Sequence, residues 1–424
     1  MTFSLQPQAY PPHANRPTDT LISRYRGIRS TTEEICRPLQ TEDYVLQSIC
    51  EVSPPKWHLA HTTWFFETFI LAKFLSGFEP YDPSFNFLFN SYYNTIGDQF
   101  LQRSRGLISR PGVEEIYNYR DIVDEQMSLL LEQTSNPELC FLVEVGLNHE
   151  QQHQELLLTD IKHSLSYNPT YPSYREKKIA LKISSPDPDW VSFPAGLRWL
   201  GHQGDGFAFD NETPRHRVFV ESFEIQSRPV TVGDYMSFVE AGGYQSPRFW
   251  LSDGWAMCQQ ERWTAPLYWI EEQNDWSIYT LNGTRPLVLD EPVCHLSYYE
   301  ADAFARWSEA RLPTEAEWRA LADQAPLRGN FLEIDHLHPI ASEDAIQIFG
   351  DFWEWTSSAY SAYPGYQPPS GALGEYNGKF MSNQMVLRGG SCVTPESHFR
   401  RSYRNFFRPS ARWQFSGLRL ARNV

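Results

Sequence analysis

Pro137-Glu-Leu-Cys-Phe-Leu-Val-Glu-Val-Gly-Leu-Asn-His149-Glu-Gln-Gln-His153-Gln-Glu-Leu-Leu-Leu-Thr-Asp-Ile-Lys-His-Ser-Leu-Ser166 reads as one long helix. Apolar residues recur three and four apart, and the stretch has few internal breakers. His149 and His153, four residues apart, share one face of that helix and can point at one ion. The same helix buries Leu147, Leu156 and Leu157, so the pair is expected to face inward. Inward-facing histidines need partners, either ordinary hydrogen bonds or a metal.

Working outward, three more helices are predicted over residues 19–39, 56–74 and 113–132, and four helices suggest a bundle. The second carries Leu59-Ala60-His61 among the bulky residues Trp64, Phe65 and Phe66, so His61 can supply a third corner to the pair. Three imidazoles leave coordination positions open for a substrate, which a catalytic metal requires. His58 lies one turn before His61 and is an alternative ligand. His163, ten residues past His153, lies about 15 Å further along the axis, too far to share the ion. Glu67, Glu150 and Glu155 are expected to accept hydrogen bonds from the ligand rings. The connection over residues 76–112 is long and carries Tyr92 and Tyr93, which suggests a functional loop or lid.

After residue 167 the pattern changes. Residues 168–188 hold prolines and the basic run Arg175-Glu176-Lys177-Lys178, and read as a linker between a domain over 1–167 and a second over 189–424. The second domain alternates short β-prone runs, such as 217–225 and 385–388, with turns, and has helices near 231–241, 297–310 and 314–322. At 424 residues the chain is too long for one core, and its 41% apolar composition is that of a globular protein of at least two domains. A formal charge of -16 argues against nucleic acid or an anionic membrane as partner. Residues 1–17 are polar and Pro-rich, unlike a signal peptide, and no run of about 18 apolar residues occurs, which predicts a cytoplasmic location. The six cysteines form no Cys-x-x-Cys pair and read as reduced thiols.

Leu59-Ala60-His61 followed by His149-x-x-Gln152-His153 resembles the DinB-like iron domain of the ergothioneine-biosynthesis sulfoxide synthases. In the second half, Gly350-Asp-Phe-Trp-Glu-Trp-Thr356, Val386-Leu-Arg-Gly-Gly-Ser-Cys392, Gly417-Leu-Arg-Leu-Ala421 and Arg311-Leu-Pro-Thr-Glu-Ala-Glu-Trp318 resemble the formylglycine-generating-enzyme (sulfatase-modifying factor) fold. The resemblance implies an α+β chain, a DinB-like four-helix bundle followed by a C-type-lectin-like formylglycine-generating-enzyme fold. It also implies an oxidoreductase that couples a thiol to the imidazole of hercynine, with Fe(II) as cofactor and O2 as co-substrate. His61, His149 and His153 would hold the iron, and Gln152 would face the bound imidazole.

A catalytic tyrosine of the actinobacterial branch has no counterpart here, since Leu373 falls at its position with Tyr376 nearby. The resemblance therefore points to the non-actinobacterial branch, and to Tyr92 and Tyr93 as the catalytic phenols; adjacent tyrosines also fit plain aromatic packing. A phenol with an ordinary pKa near 10 can deliver a proton or an electron with a proton, steering oxidation toward the coupled sulfoxide. Arg103 and Arg105 are candidates for clamping the carboxylate of cysteine or γ-glutamylcysteine, Arg103 by alignment, or else are solvated surface arginines. Phe100 stands where a second family arginine is found, which favours cysteine unless Arg105 compensates. Asn405, Phe406, Phe407 and Trp413 match the segment lining the imidazole-betaine pocket, where aromatic rings can surround a quaternary ammonium. Trp413 also fits a core position.

Two other enzymes remain compatible with these residues: an ovothiol-type 5-histidylcysteine sulfoxide synthase, and a zinc-dependent DinB-type thiol transferase. The ovothiol-type enzymes usually append a methyltransferase domain, for which a chain ending at Val424 has no room. A lectin-like binding module is the non-catalytic alternative. Formylglycine generation needs a cysteine pair, and Cys392 has no partner nearby in sequence. The expected partners are small molecules, and homo-oligomerisation is left open.

Overall fold

The structure, a computed structural model, describes residues 18–133, 136–176, 184–273 and 275–424. Residues 1–17, Lys177 and Lys178, all read from the sequence above, lie outside them. The N-terminal half is helical: α1 (Thr18–Cys36), α2 (Pro55–Phe66) continuing through a π turn (Glu67–Leu71) into α3 (Ala72–Phe74), α4 (Phe85–Phe89), α5 (Val113–Gln133) and α6 (Pro137–Ser166). Asn136 starts α6 by accepting the amide hydrogens of Glu138 (2.9 Å) and Leu139 (3.3 Å), with Pro137 in the first turn where no amide hydrogen is needed. α1 packs on α5 and α6, and α2 packs on the same two, closing the bundle.

Gly146 sets the closest approach of α2 to α6. A Cβ there would stand 2.7 Å from the Phe66 ring, so any larger residue would push the helices apart one turn before His149. The bundle core is aromatic and aliphatic, with Trp64, Phe65, Phe66, Val143 and Leu147 at 0% exposure.

The C-terminal half is assembled from short strands: β1 (Trp190–Phe193), β2 (Gly196–Leu200), β3 (His216–Val220), β4 (Phe223–Gln226), β5 (Trp269–Glu272), β6 (Asp275–Thr280), β7 (Gly283–Pro286), β8 (Trp353–Ala359), β9 (Met385–Arg388), β10 (Asn405–Phe407), β11 (Ser416–Gly417) and β12 (Ala421–Asn423). They form sheets ordered β1-β4-β12, β10-β9-β8-β11, β2-β3 and β5-β6-β7. Helices α7 (Val232–Glu240), α9 (Tyr298–Trp307) and α10 (Glu315–Ala322) each begin with a reciprocal cap, from Thr231 with Asp234, Ser297 with Glu300 and Thr314 with Glu317. α8 (Ser252–Gln260) was not foreseen, because its run carries an interior glycine, Gly254. The single strand expected over 217–225 is two strands in different sheets, since the chain turns out at Glu221 and Ser222 between β3 and β4. The chain is thus mixed α+β, a helical half followed by a sheet-rich half. No helix among the described residues is long and apolar enough to cross a membrane.

α6 is buried on nearly every side because it serves both halves. The Glu155 carboxylate accepts from Trp353 Nε1 (2.6 Å), Ser391 Oγ (2.7 Å) and Thr394 Oγ1 (2.6 Å) of the second half. Lys162 Nζ donates to His295 Nε2 at 2.6 Å beneath the rings of Tyr268 and Phe415. Residues 168–176, expected as linker, are also packed: the Tyr174 hydroxyl donates to the Ile35 carbonyl (2.6 Å) and the Arg175 amide to that of Leu281 (3.1 Å).

Candidate metal centre and substrate cleft

α2 and α6 bring His61, His149 and His153 together, with one nitrogen from each lying within 4.8 Å of the others. His61 Nε2 and His149 Nε2 are 3.1 Å apart. That is close to the spacing of two ligands at right angles on an ion about 2.1 Å from each. The environment keeps the rings neutral: burial pushes His149 down to about 3, and carries His61 and His153 well below the ordinary histidine range, with the neighbouring histidines adding to the effect. Neutral imidazoles are the ligating form, so the donor set fits a divalent transition metal.

The rings are held in three different ways. His61 Nδ1 donates to the Phe89 carbonyl at 2.6 Å, and Trp57 stacks on the ring with centroids 4.5 Å apart. His153 Nδ1 lies 2.8 Å from His58 Nδ1, and His58 Nε2 lies 3.1 Å from Asp160 Oδ2. His149 Nδ1 is buried with no hydrogen-bond partner, packed against Phe65 at 4.6 Å between centroids. His58 therefore stands behind the triad, and His163 is elsewhere, 2.6 Å from Ser48 Oγ.

None of the three expected carboxylates supports the ligand rings. Each is adjacent in sequence to the site but points around the helix to another partner. Glu67 binds the Tyr119 hydroxyl (2.6 Å) and the Tyr81 amide (2.9 Å). Glu150 is clasped by Arg29 and Arg120; burial alone would raise its carboxyl, and the two guanidiniums hold it at about 2. Glu155 is spent on the second half, as above. Asp160 was missed, though its place seven residues past His153, two turns along one face, is a legible signal.

Gln152 points into the junction of the halves. Its Nε2 donates to the Tyr403 hydroxyl at 2.7 Å, and its Oε1 accepts from the Tyr376 hydroxyl. The Tyr376 ring lies 5.8 Å from that of His149 and stacks on Phe209 at 5.3 Å. Tyr93 is fully buried, 5.9 Å from Trp64 and 5.1 Å from Phe69, and its hydroxyl has no hydrogen-bond partner. Tyr92 is half-buried, 4.7 Å from Tyr93 between centroids. Burial raises both phenols above their ordinary range, so they are protonated near neutral pH. The loop bearing them is held by the second half: Glu375 accepts from the Asn94 amide (3.0 Å), the Thr95 amide (2.9 Å) and the Thr95 hydroxyl (2.7 Å), while Lys379 donates to the Tyr92 carbonyl. Neither Glu375 nor Lys379 was anticipated.

Arg103 is exposed, whereas Arg105 is buried with its guanidinium carbon 3.4 Å from the centroid of Trp57, the ring that covers His61. Its Nη1 donates to Ser53 Oγ at 2.9 Å and its Nε has no partner. Burial lowers Arg105 to about 9, which leaves it cationic at neutral pH. The aromatic segment divides. Phe406 stacks on Tyr360 at 4.0 Å, and Phe407 meets Trp413 at 5.9 Å. Successive residues of strand β10 face opposite ways, so these rings do not form one cage as the sequence suggested. Asn405 Oδ1 accepts the Phe406 amide at 2.8 Å.

Residues 178–345 and 338–424 match the sulfatase-modifying factor enzyme 1-like domain family. The chain is 31% identical over 310 residues to hercynine oxygenase of Mycolicibacterium smegmatis, an alignment covering 66% of this chain and 71% of that protein. It is 33% identical over 247 residues to hercynine oxygenase of Mycobacterium tuberculosis, covering 51% of this chain and 56% of the relative. Ergothioneine biosynthesis protein 1 of Schizosaccharomyces pombe is 30% identical over 234 residues, 51% of this chain and 28% of the relative.

Proposed function

This chain belongs to the hercynine oxygenase family, and on that premise we propose that it is a non-haem Fe(II)- and O2-dependent sulfoxide synthase. It joins the thiol of cysteine or γ-glutamylcysteine to the imidazole of hercynine, giving hercynylcysteine sulfoxide in ergothioneine biosynthesis. The observation that carries this reading is the neutral set of buried His61 and His149 with half-buried His153, two of whose facing nitrogens are 3.1 Å apart. These three residues hold the iron. When bound, ferrous iron supplies the activation of dioxygen beside a thiolate.

The remaining residues bind and orient. Gln152, with its amide fixed by Tyr376 and Tyr403, turns its second N–H toward the imidazole substrate. Arg105, cationic and lacking a carboxylate partner at hydrogen-bond distance, receives the carboxylate of the thiol donor. With Arg103 exposed, a single clamp suits cysteine, which has one carboxylate. Asn405 takes the hercynine carboxylate, and Phe407 with Trp413 offers ring faces to its trimethylammonium. Phe406 lies on the other side of the strand, against Tyr360 and Phe380. Tyr93, whose buried hydroxyl has no protein acceptor, donates the proton that commits the reaction to coupling, and Tyr92 packs behind it.

The test is anaerobic loading with Fe(II), followed by O2, cysteine or γ-glutamylcysteine, and hercynine or histidine, with products read by mass spectrometry and oxygen uptake recorded. A coupled sulfoxide from hercynine is expected. Coupling to histidine instead would give the ovothiol-type reaction, activity with zinc and no oxygen uptake would give a thiol transferase, and no coupled product from any pair would end the proposal.

A further inference from the structure

We propose that Asp160 and His58 form a two-residue relay that fixes which ring nitrogen His153 presents to the metal. This rests on the reading that the histidine triad holds an ion. The relay follows from which groups can donate. An ionised carboxylate only accepts, so the 3.1 Å contact has His58 Nε2–H donating to Asp160 Oδ2. A neutral imidazole that donates at one nitrogen accepts at the other, so His58 Nδ1 takes the hydrogen of His153 Nδ1 across 2.8 Å. His153 Nε2 is then left with its lone pair for the ion. The Ser53 amide donates to the same carboxylate oxygen at 2.8 Å and anchors the outer end.

The arrangement is a product of helix geometry. His58 stands one turn before His61 on α2, and Asp160 two turns after His153 on α6, so each helix carries its orienting residue on the same face as its ligands, one on α2 and two on α6. The other two ligands do not use such a chain. His61 is oriented by a backbone carbonyl that no substitution removes, and His149 Nδ1 has no partner at all. Side-chain control of the metal's ligand field therefore passes through His153. Asp160 and His58 are positioning residues, and the carboxylate charge reaches the ligand through two hydrogen bonds, raising its basicity.

Binding of Co(II) to the full-length apoprotein, measured by chelator competition and by the visible absorption of the bound ion, tests the relay. Asp160→Asn and His58→Phe are each expected to weaken binding by roughly 10- to 100-fold and to shift the absorption bands. The double variant should bind no more weakly than His58→Phe alone, because the residues act in series. His58→Gln, which keeps a donor and an acceptor, should recover part of the loss, and the metal-free unfolding midpoints check that each variant folds. If the single variants bind within threefold of the parent with unchanged spectra, or if the two losses multiply, the relay is overturned. A parent protein that binds no Co(II) would instead remove the metal-site reading beneath it.

Discussion

The histidine corner and the tyrosine loop are built in opposite ways. His61, His149 and His153 stand on α2 and α6, helices that meet at Gly146, and the groups that orient the His61 and His153 rings lie within the bundle. Tyr92 and Tyr93 stand on the connection between α4 and α5, and the groups that hold their loop, Glu375 and Lys379, come from the other half of the chain. A bundle can place a rigid metal corner by itself. Tyr93 packs on Trp64 and Phe69 of the bundle, but the loop that carries the phenols is also tied to the second half. Metal binding and coupling should therefore separate under mutation.

The largest expected effect is at the corner itself. His149→Ala should abolish bound iron and lower coupled product on the order of a thousandfold or more, because several kcal/mol of metal-supplied stabilisation go with the ligand; iron content and product yield on one sample measure both. Tyr93→Phe should leave iron content unchanged and lower coupling about a hundredfold, with the thiol oxidised instead of joined. Retained coupling in Tyr93→Phe would move the proton donor to another phenol, Tyr376 being nearest to His149.

Glu375→Gln tests the docking itself. It weakens three hydrogen bonds to the tyrosine loop and should lower kcat about tenfold, some 1.4 kcal/mol, with metal affinity unchanged. Burial tends to raise the Glu375 carboxyl, but the Thr95 amide and hydroxyl, the Asn94 amide and Lys379 hold it at about 2. Its clamp is thus fully present above the ordinary carboxylate range, near pH 4.5, and is lost only as pH falls toward 2, so it does not set an acid limb at pH 5 to 6.

The corner behaves differently in acid. In the unfolded chain His149 takes up a proton near pH 6.5, while the folded ring refuses one until about 3. The metal-free protein should lose stability across that window, roughly 1.4 kcal/mol per pH unit for this histidine, seen as a falling thermal midpoint whose slope is shallower in His149→Gln. The smallest contrast separates the arginines. Arg105→Lys should raise KM for the thiol donor about tenfold, whereas Arg103→Ala, at an exposed position, should change it less than twofold.

The sequence alone determined the four bundle helices, the start of α6 at Pro137, the capped helices after Thr231, Ser297 and Thr314, and the association of His61 with His149 and His153. The helices and their caps follow from local periodicity and helical spacing, which neighbours along the chain specify, whereas His61, 88 residues from His149, was expected at the corner because of the family resemblance. What only the tertiary structure decided was direction. Glu67, Glu150 and Glu155 lie beside the histidines in sequence yet turn to Tyr119, to Arg29 and Arg120, and to Trp353. Arg105 and not Arg103 reaches Trp57, Phe406 and Phe407 part company across a strand, and Glu375 meets Thr95 from 280 residues away. Such contacts depend on how helices pack within the bundle and how the two halves meet, and no local pattern encodes those angles.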